Sequence, residues 1–268
     1  MTIRTIPMKR ILLLAAVLLM AVSCGKNKAP EAPKVLVLYY SQTGNTQAVA
    51  EAIQAQLGAD IEAIVPVVPY DGDFQATIER GKKELDEDIQ PELQPIQANP
   101  QDYDVIFLGF PVWFGTFAQP VATVLADCDF TGKRVVPFCT FGSGGLESCE
   151  KNIRETLSEA QVEPGYGVRA ARVEAAPAEV ERFLKQQGFL PGKVEALPDF
   201  SESCAVTEED SALFDEAVGG YPMIRAKAEK VASRPVPGGM EYVFTADGMK
   251  IYVLALEGQA PVFTRVVR

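Results

Sequence analysis

Short apolar runs alternate with amphipathic helical patterns between residues 35 and 188, and no other feature restricts the fold as much. Residues 35–40, VLVLYY, are the continuous apolar run expected of a strand buried on both faces. Val49, Ile53 and Leu57 then recur at four-residue spacing on one helix face, and Gly58 stops that helix. The pattern repeats. Strands are predicted at 60–65, 104–110, 134–139 and 167–173. Helices are predicted at 73–88 (Phe74, Ile78 and Leu85 on one side), 117–128 with Pro120 in its tolerated first turn, 148–160, and 178–187 closed by Gly188. Such alternation means parallel pairing with right-handed crossovers. The predicted fold class is α/β, an open doubly wound sheet of five parallel strands. Ligands of such sheets bind beyond the strand C-termini at the switch point. The loops after strands one, three and four therefore converge at one edge.

The remainder reads differently. Residues 189–206 carry Pro and Gly without periodicity and are read as a linker. Thr207-Glu208-Glu209-Asp210 has capping-box character, Phe214 and Val218 lie four apart, and Gly219-Gly220 ends the helix. Strand-like runs follow at 224–231, 240–246, 249–256 and 261–267, with a strong hairpin turn at Asp247-Gly248 and a second at Gly258-Gln259. Residues 207–268 are thus expected to form a small α+β layer, a helix followed by an antiparallel meander. Its order resembles a cystatin layout but lacks that family's inhibitory Gln-Val-Val-Ala-Gly pattern, so a structural or partner-binding role is expected.

Composition narrows the chemistry. A formal charge of −11 argues against nucleic acid as a partner. The absence of His removes the usual general base, most metal sites and the hydrolase triads. Arg4, Lys9 and Arg10 precede twelve apolar residues, 11–22, too few to span a bilayer, which takes about 20. This reads as an export signal over 1–23. Ala21-Val22-Ser23-Cys24 resembles a bacterial lipobox, which implies cleavage before Cys24, its acylation, and a lipoprotein held at a membrane of the cell envelope. The alternative is a plain secreted protein cleaved nearby. Residues 24–33 then form a flexible tether, and 34–188 the first folded domain. Of the other cysteines, 128, 139, 149 and 204, none forms a C-x-x-C pair. Cys128 and Cys139 read as small buried hydrophobes. Cys149, in a helix first turn, is placed where a thiol pKa can fall.

Three loops carry the binding chemistry. Ser41-Gln42-Thr43-Gly44-Asn45-Thr46 joins strand to helix and holds neither Lys nor Arg, so it matches neither the G-x-x-x-x-G-K-[ST] nor the G-x-G-x-x-G phosphate loop. Its hydroxyls (Ser41, Thr43, Thr46), side-chain amides (Gln42, Asn45) and backbone N–H groups suit one terminal phosphate monoester, helped by roughly +0.5 charge at the helix end. Helix capping without a ligand is the plainer alternative. The second loop, Pro111-Val112-Trp113-Phe114-Gly115, brings the chain's one Trp to a strand end, either to stack on a flat ring or to pack in the core. In the third, Thr140, Phe141, Gly142, Gly144 and Gly145 either allow backbone N–H groups to approach a ligand or form an ordinary turn.

Taken together these loops resemble those of the flavodoxin family, over residues 34–188. Ser41 to Thr46 matches the family's phosphate loop at its Thr, Gly and Thr positions. GFPVWFGT, 109–116, looks like the flavin-side loop after strand three, and TFGSGG, 140–145, like the loop after strand four. The last lacks the Tyr that many flavodoxins stack on the outer ring face, with Phe141 in its place. The resemblance implies non-covalently bound FMN, no catalytic residue, no metal, and electron transfer to an unidentified protein partner. The acidic surface predicts a lowered flavin potential and a partner basic at its docking face. An NAD(P)H-dependent quinone reductase and a cofactor-free binding lipoprotein are the alternatives.

Overall fold

The computed structural model describes residues 32–142, 144–221 and 224–267. The segment read as an export leader (1–23), Cys24 and most of the stretch read as a tether, up to residue 31, lie outside them. In chain order the parallel layer and its helices comprise β1 (Val35–Tyr39), α1 (Asn45–Leu57), β2 (Asp60–Ala63), α2 (Phe74–Asp86), β3 (Val105–Trp113), β4 (Thr116–Phe117), α3 (Gln119–Asp127), β5 (Arg134–Phe141), α4 (Glu147–Thr156), β6 (Gln161–Val162), β7 (Tyr166–Arg169) and α5 (Ala176–Gln186). The strands pair in parallel in the order β2-β1-β3-β5, and β5 then pairs with both β6 and β7. This is the doubly wound sheet expected from the alternation, with its switch point between β1 and β3.

Successive residues of the inner strands enter opposite layers, as the pleat requires. Leu36, Leu38, Ile106, Leu108 and Phe110 pack with Val121, Val124 and Leu125 of α3 and Ile153 of α4. Val37, Tyr39, Val105 and Phe107 pack with Val49 and Ile53 of α1 and Val180 and Leu184 of α5. Both faces are covered, which is why these strands read as unbroken apolar runs.

Several boundaries differ from expectation at the sheet's functional edge. Pro111 to Trp113 are not loop but the end of β3, because Val112 and Trp113 pair with Phe117 and Thr116 of β4 in a short hairpin. Its two-residue turn, Phe114-Gly115, has both φ values positive, at 51° and 80°, the backbone of a type I′ turn. Thr140 and Phe141 likewise belong to β5. The fifth strand is split into β6 and β7, and residues 170–175, partly read as strand, form a 3-10 turn into α5. Strand β2 ends at Ala63 and α4 at Thr156, both earlier than read. Phe74 is 82% exposed, whereas α2 meets the domain at Gly81, against Trp113.

Beyond α5 lie β8 (Cys204–Ala205), α6 (Glu208–Val218), β9 (Lys230–Val236), β10 (Gly239–Ala246), β11 (Met249–Leu256) and β12 (Val262–Val267). They form an antiparallel sheet, β12-β11-β10-β9-β8, with α6 on one face. Thr207 and Asp210 make the capping box, and the turn at Asp247-Gly248 links β10 to β11. The run at 224–231 is not a strand for most of its length: residues 224–229 lack regular secondary structure. Strand β9 begins at Lys230 and turns at Pro237-Gly238 into β10, a hairpin signal that the apolar pattern concealed. Cys204 and Ala205, inside the stretch read as a linker, pair with β9. Phe214, Phe244, Ile251, Val253 and Phe263 form this layer's core.

Candidate functional site

The three loops meet at the C-terminal edge of the parallel sheet, and side chains tie them together. Thr46, 1% exposed in the first turn of α1, shares a 2.9 Å hydrogen bond with the hydroxyl of Thr140 at the end of β5. Ser148 of α4 donates to the Gly115 carbonyl at 2.6 Å, and Asn152 donates to the Thr116 hydroxyl at 2.9 Å, so α4 grips the hairpin of the second loop. The first loop is also tied outward. Tyr40 donates to Gln42 Oε1 at 2.6 Å, and Gln42 Nε2 donates to the Tyr70 carbonyl.

The first loop has the form of an anion seat. Gly44 occupies the N-cap of α1 at φ 86°, and no side chain caps the helix. A Cβ there would meet nothing within 4 Å, so the glycine answers to backbone conformation and leaves open space above the helix end. The first-turn N–H groups have no intrahelical acceptor, and no acidic residue stands in that turn. Ser41 Oγ is buried without a hydrogen-bond partner. A buried hydroxyl left in that state costs free energy unless a ligand completes it. The capping alternative is not what the structure shows. Asn45 Nδ2 reaches only the Thr43 hydroxyl, at 3.2 Å, and Gln42 is engaged with Tyr40 and Tyr70.

The second loop divides its two aromatic residues. Trp113 is half-buried, edge-to-face with Tyr70 at 5.1 Å and Tyr40 at 5.8 Å between centroids, and it lies over Gly81. Phe114, at the turn, is 46% exposed. Behind Trp113 sits a polar group that the sequence reading missed. Tyr70 donates to Glu84, which is 6% exposed, and Arg80 Nε donates to the same carboxylate at 2.7 Å while its guanidinium lies 3.7 Å from the Tyr70 ring centroid. Burial and then the Glu84 bond push the Tyr70 pKa upward, so the phenol stays protonated. Glu84 and Arg80 are four apart on a charged helix, a spacing that reads as a surface pair. Only the fold shows it buried.

In the third loop Gly142 is exposed, and Gly144 and Gly145 are partly buried. Arg169, 3% exposed, donates to the Gly142 carbonyl through Nε at 2.9 Å and through Nη2, and to the Phe263 carbonyl of β12 through Nη1 at 2.9 Å. The antiparallel layer is therefore bonded, through one side chain, to the same residue as the third loop. Cys149 is fully buried in the first turn of α4. Its thiol pKa is raised to about 11, by burial first, against the lowering expected at a helix N-terminus. Cys128, Cys139, Cys149 and Cys204 are all free thiols.

A doubly wound sheet with strand order 2-1-3 and an open anion seat after β1 defines a class of small-ligand α/β proteins. A flavodoxin family model matches residues 34–182, and the chain belongs to that family. Among solved structures, one described as a flavoprotein of Bacteroides uniformis is 26% identical, with a TM-score of 0.51, over 56% of this chain and 99% of that one. A second, from Bacteroides eggerthii, is 26% identical with a TM-score of 0.48, over 56% and 98%. A flavoprotein of Lactobacillus acidophilus, solved in complex with FMN, is 26% identical with a TM-score of 0.47, over 53% and 97%. Residues 189–267, with the antiparallel layer, lie outside the family match.

Proposed function

We propose that this chain is an FMN-binding electron carrier. The observation that carries the reading is the first loop: an uncapped helix N-terminus beside a buried Ser41 hydroxyl with no partner among the described residues, in a loop that itself holds no Lys or Arg. That combination suits a terminal phosphate held by neutral donors, the manner of the family. Thr46 fits the same role, because its hydroxyl can accept from Thr140 and donate its own proton to a phosphate oxygen. Thr43 and Asn45 stand at the rim of the seat. At the ring end, exposed Phe114 offers a stacking face, Trp113 lies beside it, and Phe141 closes β5 below the third loop, whose Gly142, Gly144 and Gly145 offer backbone N–H groups. When bound, FMN supplies the electron-carrying chemistry; the chain's own groups bind it, orient it and exclude water.

Absorption of the purified protein and titration with FMN and riboflavin test the reading. FMN is expected to bind far more tightly, since riboflavin lacks the phosphate. Equal affinities would overturn it.

The leader points to an envelope location. Cys24 is proposed to carry acyl chains, and a redox partner with a basic docking face is proposed from the net charge of −11. The Cys24→Ser variant should leave the membrane fraction or stall in processing. Normal processing with unchanged membrane association would contradict the anchor.

A further inference from the structure

A cavity of about 550 Å³ lies between α5 and β7 on one side and the antiparallel layer on the other. Its size falls in the range of small-molecule sites. Four arginines line it, Arg169, Arg172, Arg182 and Arg265, in a chain whose net charge is −11. Two carboxylates also line it, and both are committed elsewhere: Glu179 to Arg172 and to the Tyr166 hydroxyl, Glu241 to Arg234 of the adjacent strand. The other three guanidinium groups have no carboxylate partner among the described residues. Arg169 is buried, its donors directed at carbonyls. Arg265, exposed, lies 4.1 Å from the Tyr252 ring centroid, and half-buried Arg182 has no hydrogen-bond or ion-pair partner among the described residues. The remaining wall is largely apolar, with Phe141, Phe183, Leu254 and Leu256.

Uncompensated guanidinium forks over an apolar wall define a recognition chemistry. A fork matches the two oxygens of a carboxylate in one plane, and such charge-assisted bonds are about twice as strong as neutral ones. We infer that this cavity binds a small organic carboxylate with a flat or branched apolar body, its head group on Arg182 and Arg265 and its body against Phe183 and Leu254. The assignment does not rest on the FMN reading. It is separate from the first loop, and it gives the antiparallel layer, which the family match does not reach, a part in ligand binding. Phosphate esters share the oxyanion head, so the test includes one.

Calorimetric titration of the full chain with 2-naphthoate, 2-naphthyl phosphate and neutral 2-naphthylmethanol reads this out, with FMN present at saturation so that the first loop is not the seat measured. Saturable one-to-one binding of 2-naphthoate is expected, weakening with added salt. Arg182→Gln and Arg265→Gln should each weaken it at least about tenfold, the loss of a charge-assisted bond, while affinity for 2-naphthylmethanol and the melting temperature stay level. Absence of saturable binding would overturn the proposal. So would 2-naphthoate binding that both variants leave intact. Binding of 2-naphthyl phosphate ten times tighter than 2-naphthoate would overturn the carboxylate assignment in favour of a phosphate ester.

Discussion

Two helices begin at the same edge of the parallel sheet, and they treat their N-termini in opposite ways. Helix α1 starts at Gly44 with no side-chain cap and no acidic residue in its first turn. Helix α4 starts at Leu146, also without a side-chain cap, but Glu147 and Glu150 stand in its first turn. Each helix end presents unpaired N–H groups and about half a positive charge. At α4 the protein's own carboxylates answer that charge, and Glu150 also accepts from the Gly165 N–H, so the group is part of the fold. At α1 nothing does. The anion seat proposed at α1 would thus be made by what the sequence withholds from one helix, and the neighbouring helix shows such an end answered by the protein's own carboxylates.

The strongest way to break the comparison is to make α1 resemble α4. Thr43 is exposed and immediately precedes the N-cap Gly44. In Thr43→Asp a carboxylate would stand beside the phosphate seat. Two unit charges about 4 Å apart interact by about 4 kcal/mol at an effective dielectric of 20, so FMN affinity should fall by that order. The apoprotein should be unharmed or stabilised by about 0.3–1 kcal/mol, because an acid near a helix N-terminus is favourable. Opposite signs for ligand affinity and apoprotein stability, with riboflavin binding unchanged, are the signature. Parallel losses of both would mean that the loop had been distorted.

A milder change sharpens the role of the hydroxyls. Thr46→Val keeps the shape and removes the group that links Thr140 to the seat. FMN should weaken by about 1–3 kcal/mol, the range for a lost bond to a charged group and for an orphaned partner. Since Thr140 loses its hydrogen-bond partner, the apoprotein should lose stability as well, to be followed by denaturant titration. An FMN affinity equal to that of the parent would place Thr46 outside the seat.

Much of this architecture was legible because it is local. Apolar runs bounded by glycine fix β1, α1 and the turn at Gly44, and Asp247-Gly248 fixes a hairpin regardless of distant residues. What was illegible depends on partners far along the chain. Trp113 stands at the end of a strand rather than in a loop because β4 pairs with it, and it packs against Tyr40 and Tyr70 because α2 brings Gly81 beneath it. Glu84 and Arg169 read as ordinary charges, yet each is nearly fully buried by elements remote in sequence. The direction of the Cys149 pKa shift was illegible for the same reason. Position in a helix first turn predicts a lowered pKa, but burial outweighs the helix end, and Glu147 and Glu150 further oppose ionisation.

That thiol provides the finest test of the comparison. Burial is the main cause of its raised pKa, a hydrogen bond with Ser148 acts against it, and Glu147 adds to the rise. The folded state holds the proton to about pH 11, whereas an unfolded thiol releases it near its ordinary value of 9.0. The stabilising contribution is therefore complete below pH 9 and is lost as pH rises from there through 11. The slope for one proton is about 1.4 kcal/mol per pH unit. Other buried groups titrate in the same range, so the informative quantity is the difference between proteins. Unfolding free energies measured across this window should fall less steeply for Cys149→Ala than for the parent, whatever the alanine costs at neutral pH. Glu147→Gln should retain the slope but end it at lower pH, because removing one carboxylate restores part of the helix end's pull on the thiolate. Were the end point unmoved, the acidic residues of α4 would not be what offsets its positive end, and the contrast with α1 would rest on burial alone.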